Sequence, residues 1–197
     1  SARGVVVASK GKVSAILDLD GDDVAEVERV IATGWQEIPQ NVDAIGVAIH
    51  SDDGAIYFGL GTAAYNNAYL LDKEGKSAFD LQSERGTIQR IEPDLSRRTT
   101  VCTGVRFTIG MEFNADKQLI VTEQEGATWL PNGNPFDELL HIRPGRHYGF
   151  PPRHPKHLPN VFDEPSLFDY GPQHQSTCGL IFNLPLEPGG PTFGPAD

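Results

Sequence analysis

The sequence has 197 residues, which is long enough for one domain with a substantial hydrophobic core. Its 21 Gly and 15 Pro, against Cys 2 and Met 1, are typical of a turn-rich all-β protein rather than of a helical bundle or a disulfide scaffold. The formal net charge of -11 argues against a nucleic-acid-binding surface, because such a surface needs clustered basic residues. We therefore expect cations or small molecules as partners, and no membrane span, since no apolar run approaches the roughly 20 residues of a spanning helix.

Two strands are predicted near the N-terminus, over residues 12–17 and 27–31, on either side of an acidic turn. The turn has the D-x-D-G-D spacing of calcium loops, in which alternate side chains point inward and Gly21 permits a sharp bend. An EF-hand is excluded, because its twelfth position holds Arg29 in place of Glu and strands flank the turn. Two interpretations stay open, a calcium-binding hairpin loop and an acidic turn exposed to solvent. The candidate calcium ligands are Asp18, Asp20, Asp22 and Glu26.

The segments 41–61 and 107–124 share one pattern, in which a strand, a turn with Asp or Asn, and a second strand follow one another. A two-strand unit repeated at a spacing of about 60 residues indicates the blades of a β-propeller. The alternation of apolar residues predicts which positions face the core. These positions are Val47, Ile49, Ile56, Phe58, Ile109, Met111, Leu119 and Val121.

The stretch 104–152 carries most of the functional information. It predicts strands over 107–113, 118–124 and 138–142, with a long irregular loop between the second and the third. The loop gathers acidic residues together with Gly, Pro and Asn residues that offer backbone carbonyls. The acidic residues are Glu123, Glu125, Asp137 and Glu138. Because oxygen-only ligands suit a hard cation, we predict a second set of calcium ligands at Glu125, Asp137 and Glu138.

Four motifs of this stretch together resemble the soluble quinoprotein glucose and sorbosone dehydrogenases. They are GVRFTIGM with Arg106, the acidic EQEG, Asp137-Glu138 followed by LLHIRPG, and the YGFP that begins at Tyr148. The resemblance extends back to SDDGAIYFGLG and GTIQRI, and by motif content it covers roughly half of the chain.

The resemblance implies a six-bladed β-propeller, with calcium and pyrroloquinoline quinone (PQQ) held over its central channel. It implies a role for Arg106 in catalysis and in cofactor binding, and a role for Tyr148 in cofactor binding. Because that family is usually extracytoplasmic, we expect a periplasmic or secreted protein.

The sequence departs from the family at the catalytic base. The family uses a His to take the proton of the sugar hydroxyl, whereas Asp43 stands at or next to that position here, and Phe107 replaces the family's Asn. A carboxylate can act as a general base when burial or a like charge raises its pKa from about 4. The second candidate base is His174, which precedes a predicted inner strand at 180–182.

At roughly 40–50 residues per four-stranded blade, the chain accounts for about four to five blades. We therefore predict an all-β fold, an incomplete or small β-propeller of antiparallel sheets, over residues 1–197 as one domain or as a fragment of a larger propeller. Because an open sheet edge is a liability, we expect a homodimer through such edges. Cys102 and Cys178 are expected to be buried free thiols, although a disulfide between them stays open.

Three functions stay open. The main prediction is a calcium-dependent hydrolase of lactones such as gluconolactone or an acyl-homoserine lactone, in which Asp43 or His174 activates water. This prediction is favoured because the acidic loops are present, whereas the quinoprotein His is absent from the expected position. The alternative is a PQQ-dependent aldose dehydrogenase, and the second alternative is a non-catalytic binding module.

Overall fold

The computed structural model describes residues 3–35, 44–61, 73–74, 83–124, 136–150, 166–171, 175–185 and 190. All regular structure in these ranges is β-strand, which confirms the all-β prediction, and no described helix could cross a membrane. The strands are β1 (Arg3–Ser9), β2 (Lys12–Asp18), β3 (Val27–Thr33), β4 (Ala44–Ile49), β5 (Ile56–Leu60), β6 (Thr87–Ile91), β7 (Arg98–Thr103), β8 (Thr108–Phe113), β9 (Leu119–Glu123), β10 (Asp137–Ile142) and β11 (Phe168–Tyr170).

The described strands form three antiparallel sheets. The first contains β1 to β3, the second β4 to β7 and the third β8 to β11, each in sequential order. This up-and-down order is that of propeller blades, and the fold is consistent with a partial β-propeller. The second sheet extends over 44–103 and the third over 108–170, so each of these two sheets uses more chain than was assumed for one blade.

The first strands of the three sheets lie side by side. β4 packs against both β1 and β8, so these three strands form the inner edge of the assembly. Gly46 permits the close approach of β4 to β8, because a Cβ atom there would lie 2.6 Å from the Thr108 carbonyl oxygen. Its positive φ of 57° is also one that glycine adopts at little cost.

Two apolar clusters join the sheets. The cluster between the first and second sheets contains Val13, Trp35, Ala44, Ile56, Phe58, Leu60 and Ile91. The cluster between the second and third sheets contains Ala48, Ile88, Val101, Cys102, Val105, Met111, Phe113, Leu119, Val121, Leu140, Ile142 and Tyr148. Each sheet therefore buries apolar side chains against the next sheet, as stacked blades do.

Five of the eight predicted core positions are buried, and the exceptions lie on β4 and β8. Ile49 is 50% exposed and Val47 is half-buried, while Ala44 and Ala48 are buried in their place. The pairing of β4 with β5 shifts between Ile45 and Val47, and such a bulge moves the inward-facing phase of a strand by one residue. A similar irregularity between Thr108 and Met111 accompanies the half-burial of Ile109.

The segment 146–150, called the strap here, connects the third sheet to the second. After β10 the chain reverses at Gly145, whose φ is 77°, and returns beside the end of β7. The Tyr148 amide donates to the Thr103 carbonyl at 3.0 Å, and the Phe150 amide donates to the Gly104 carbonyl at 2.8 Å. Gly104 is required at this crossing, because a Cβ atom would lie 2.6 Å from the Tyr148 nitrogen.

Two further predictions are wrong. Residues 180–182 form no strand, and Ile181 is 86% exposed. The two cysteines are both free, but they differ in environment, since Cys102 is buried and Cys178 is exposed. Cys178 lies in the irregular segment 175–185 and not in a sheet, which is why it is not covered by a neighbouring strand.

Candidate functional site

The candidate site lies where β8 begins, β9 ends and β10 begins. This end of the third sheet, called the Arg106 end, brings Arg106, Glu123, Gln124 and Glu138 together. The antiparallel order of the strands explains the arrangement, because the start of one strand lies beside the end of its neighbour.

Glu123 is fully buried at this end, with none of its surface exposed. Its Oε1 atom accepts hydrogen bonds from the backbone amides of Arg106 and Phe107, the second at 2.9 Å. Its Oε2 atom, in contrast, has no hydrogen-bond partner among the described residues. A buried carboxyl oxygen without a partner is costly and is typical of functional sites.

Burial raises the pKa of Glu123 to about 8. The hydrogen bonds from the amides of Phe107 and Arg106 oppose this rise, whereas the charge of Glu138, which lies directly opposite on β10, adds to it. Glu123 is therefore largely protonated at neutral pH. A strongly perturbed carboxyl between a like charge and a cation is a marker of a functional site.

Arg106 is held in place from two sides. Its backbone amide donates to Glu123, and its guanidinium donates from Nη1 to the Gln124 carbonyl at 3.0 Å. Gln124 is itself fixed, because its side-chain amide donates to the Thr177 carbonyl at 2.9 Å. Arg106, a half-buried residue, is thus positioned by Glu123 and Gln124. Thr177 makes hydrogen bonds to both of these residues.

The second predicted calcium set is only partly brought together. Glu138 shares the face of Glu123, but the adjacent Asp137 points to the other face of β10, because side chains alternate along a strand. Asp137 is buried, and its Oδ2 atom accepts the Ser176 amide at 2.7 Å. Asp137 therefore anchors the segment 175–178. Three predicted site residues, Asp43, Glu125 and His174, lie outside the described residues.

The first predicted calcium set does converge. Ligand oxygens of the four acidic residues lie within 4.8 Å of one another, and no other set of three or more acidic, His or Cys ligands converges in the described residues. The residues are Asp18, Asp20, Asp22 and Glu26. Their carboxylates also accept backbone amides of the same loop, as the 2.6 Å bond from Gly21 to Asp18 shows. A calcium loop and a self-capped acidic turn are both compatible with this geometry.

Tyr148, the predicted cofactor-binding residue, lies between the second and third sheets. Its ring lies in the core, and its hydroxyl donates to the His141 carbonyl at 2.6 Å and accepts the Arg143 amide at 2.7 Å. These bonds are at the far end of β10 from Arg106. The hydroxyl thus stabilises the turn that follows β10, and the role of Tyr148 in cofactor binding stays a prediction.

The sequence does not predict the burial of Glu123 or the bracing role of Gln124 at the Arg106 end. The sequence predicts a strand through residue 124 and counts Glu123 among the acidic residues of the loop that follows. In the structure Glu123 ends β9 and is buried, and its position at the end of an apolar strand is the signal for that burial. Gln124 carries no motif of its own. Its role as a brace depends on the segment 175–178, which is distant in sequence.

Comparisons with known proteins agree with this fold. The family described as Domain of unknown function (DUF7133) matches residues 1–162. No curated protein matches the sequence.

Several solved structures are similar at low sequence identity. The PQQ-bound aldose sugar dehydrogenase of Streptomyces coelicolor has 21% identity and a TM-score of 0.55, over 83% of this chain and 47% of that one. The soluble aldose sugar dehydrogenase of Escherichia coli, in its apo form, has 17% identity and a TM-score of 0.51, over 76% and 44%. The PQQ domain of pyranose dehydrogenase from Coprinopsis cinerea, in its holo form, has 12% identity and a TM-score of 0.55, over 76% and 40%. At these identities the likeness establishes the fold, and the chain spans 40% to 47% of the length of the three structures.

Proposed function

The chain belongs to the DUF7133 family, and we propose that it acts as a PQQ-dependent aldose dehydrogenase, alone or as part of a longer protein. The observation that carries the proposal is the fixed, half-buried guanidinium of Arg106 at the Arg106 end of a propeller-type sheet. The similar structures are sugar dehydrogenases by description, which supports this alternative over the lactone hydrolase. Neither they nor the site geometry supports a hydrolase, so the lactonase prediction is not retained.

The residues at this end fit an anionic planar cofactor. PQQ carries carboxylates and a quinone, and a guanidinium offers five N–H donors in a planar fork that suits such oxygens. The bond to Gln124 engages one nitrogen of Arg106, and the rest of the fork can meet a cofactor oxygen. When bound, PQQ supplies the two-electron acceptor for oxidation of the sugar hydroxyl.

Glu123 supports this arrangement in two ways. As a largely protonated acid with a pKa of about 8, it adds little negative charge beside an anionic cofactor. Its Oε1 atom also holds the backbone at Arg106 and Phe107, which fixes the base of the Arg106 side chain. We therefore assign Glu123 as a positioning residue.

Proton removal from the sugar needs a base, and Asp43 and His174 remain the proposed candidates. Both lie outside the described residues, so the assignment between them depends on mutagenesis. The predicted homodimer and the extracytoplasmic location likewise stay predictions.

The proposal is tested by titrating the full chain with PQQ and following binding by cofactor absorbance. Wild type should bind PQQ and, once reconstituted, should reduce a dye with aldoses. Arg106→Met should weaken PQQ binding at least tenfold, since a charge-assisted hydrogen bond contributes about 1.5–3 kcal/mol. Arg97→Met is the matched control, because Arg97 is exposed and pairs with Glu92 away from the site.

The same preparation separates the other functions. Absence of PQQ binding, or equal binding by Arg106→Met and wild type, would overturn the assignment of the cofactor to the Arg106 end. Binding without dye reduction would indicate a binding module. Turnover of gluconolactone or an acyl-homoserine lactone with calcium and no quinone would restore the hydrolase.

A further inference from the structure

A cavity lies at the opposite end of the strands from Arg106, between the second and third sheets. Its volume is about 260 Å³, and it is lined by the β4–β5 turn, the β8–β9 turn and the end of β10. We propose that this cavity binds a small aromatic carboxylate. A volume near the lower limit for ligand pockets suits a single substituted ring.

The inner wall of the cavity is aromatic and apolar. Phe113 makes edge-to-face contacts with two other rings of the wall, His50 at 4.9 Å and Tyr57 at 5.3 Å between centroids. The buried side chains of Leu119 and Ile142 complete the wall. Edge-to-face packing is a favoured geometry for aromatic rings. An aromatic ligand can therefore pack against the rings of this wall in the same way.

The polar part of the lining has one sign of charge. Lys117 and Arg143 are exposed at the cavity, His50 and His141 are half-buried, and no Asp or Glu among the described residues lines it. The chain as a whole has a net charge of -11, so this concentration of basic groups is unusual for its surface. An anionic group is therefore the ligand chemistry that the lining favours.

The exposed partner of Lys117 does not block this role. The Lys117 ammonium lies 3.3 Å from an Asp52 carboxylate oxygen, with side chains 43% and 62% exposed. Ion pairs exposed to this degree are weak, so a ligand carboxylate can take the place of Asp52. An aromatic carboxylate would therefore place its ring against the apolar wall and its charge beside the basic side chains of the lining.

The cavity is built from fixed elements. His50 is oriented by Asp53, whose Oδ1 atom lies 3.0 Å from Nδ1 of the imidazole. The β8–β9 turn is closed by Asn114, which accepts the Gln118 amide at 2.8 Å. The Tyr148 hydroxyl holds the end of β10 through its bonds to His141 and Arg143. A preformed cavity loses little freedom when it binds a ligand.

Isothermal titration of the full chain with benzoate, and with benzamide as the uncharged counterpart, tests the proposal. Benzoate should bind at least tenfold more tightly than benzamide. The double variant Lys117→Met/Arg143→Met keeps the apolar stems but removes both charges, and it should weaken benzoate binding at least tenfold. The control Lys10→Met/Arg97→Met removes the same charges at side chains that do not line the cavity, and it should bind like wild type.

Three results would overturn the proposal: no saturable binding of benzoate, equal affinity for benzoate and benzamide, or equal benzoate affinity in the two double variants. Circular dichroism and the thermal midpoint check that each variant is folded. The inference is independent of the PQQ proposal, so Arg106→Met should leave benzoate binding unchanged. A loss of benzoate binding in Arg106→Met would place the ligand at the Arg106 end and would also overturn it.

Discussion

Replacing Glu123 by Gln tests how a buried carboxyl controls the stability of this chain. Its pKa is about 8 in the folded state, against an ordinary value of 4.5. Because the folded state holds its proton over this interval and the unfolded state does not, the free energy of unfolding falls as pH rises from 4.5 to about 8. At about 1.4 kcal/mol per pKa unit, the loss amounts to about 5 kcal/mol.

Glu123→Gln keeps an oxygen that can accept the amides of Arg106 and Phe107, but the variant side chain cannot ionise. Its free energy of unfolding should therefore change little across the same interval. Glu138→Gln keeps Glu123 but should make the fall in the free energy of unfolding smaller, because the charge of Glu138 contributes to the raised pKa of Glu123.

Urea denaturation at half-unit steps from pH 4.5 to 9, in the presence of a chelator, measures these differences. The core residue Trp35 provides a fluorescence signal. Glu112→Gln is the matched control, because Glu112 lies on β8 but is not opposite Glu138, and it should keep the wild-type profile. If Glu123→Gln loses stability with pH as steeply as wild type does, a different group is responsible and the reasoning is refuted.

Three further predictions concern the calcium loop, the core and the thiols. Calcium should raise the thermal midpoint of wild type but not of Asp20→Asn, which retains an acceptor for the Asp22 amide; no rise in wild type would contradict a calcium site. Tyr148→Phe should lower the free energy of unfolding in urea by about 1–3 kcal/mol, because two backbone groups lose their partner, and an unchanged value would deny the hydroxyl that role. A thiol reagent should modify Cys178 in the native chain but Cys102 only after unfolding, since burial raises the pKa of Cys102 to about 12; mass spectrometry locates the label, and early labelling of Cys102 would contradict its burial.

The strands were predictable where local chemistry decides them. The segments 107–113 and 118–124 became β8 and β9, joined by a turn in which the Lys117 amide donates to the Asn114 carbonyl. β1 was not predicted, because its apolar run is short and ends before Gly11; pairing with β2 stabilises it. The exposure of Ile49 could not be predicted from the sequence either, because the bulge that causes it depends on the pairing of β4 with β5.

The candidate site was predictable by residue type and not by geometry. The resemblance pointed to Arg106 and to the acidic residues around it, and Arg106 does lie beside Glu123 and Glu138. The depth of Glu123 depends on how the residues before β8 fold over the end of β9, which no spacing encodes. The motif around Tyr148 could not reveal that its hydroxyl binds the backbone of β10, and its predicted contact with the cofactor stays a prediction.

The strap implies that the second and third sheets open as one cooperative unit. The amides of Thr103, Tyr148 and Phe150 are bonded across the two sheets, so none of them can meet solvent until the crossing separates. In native-state hydrogen exchange these three amides should share one opening free energy. No such crossing joins the first sheet to the second in the described ranges, so amides of β3 should exchange through a separate, lower-energy opening. Stability in this chain is therefore expected to rise stepwise from its N-terminal sheet toward the strap.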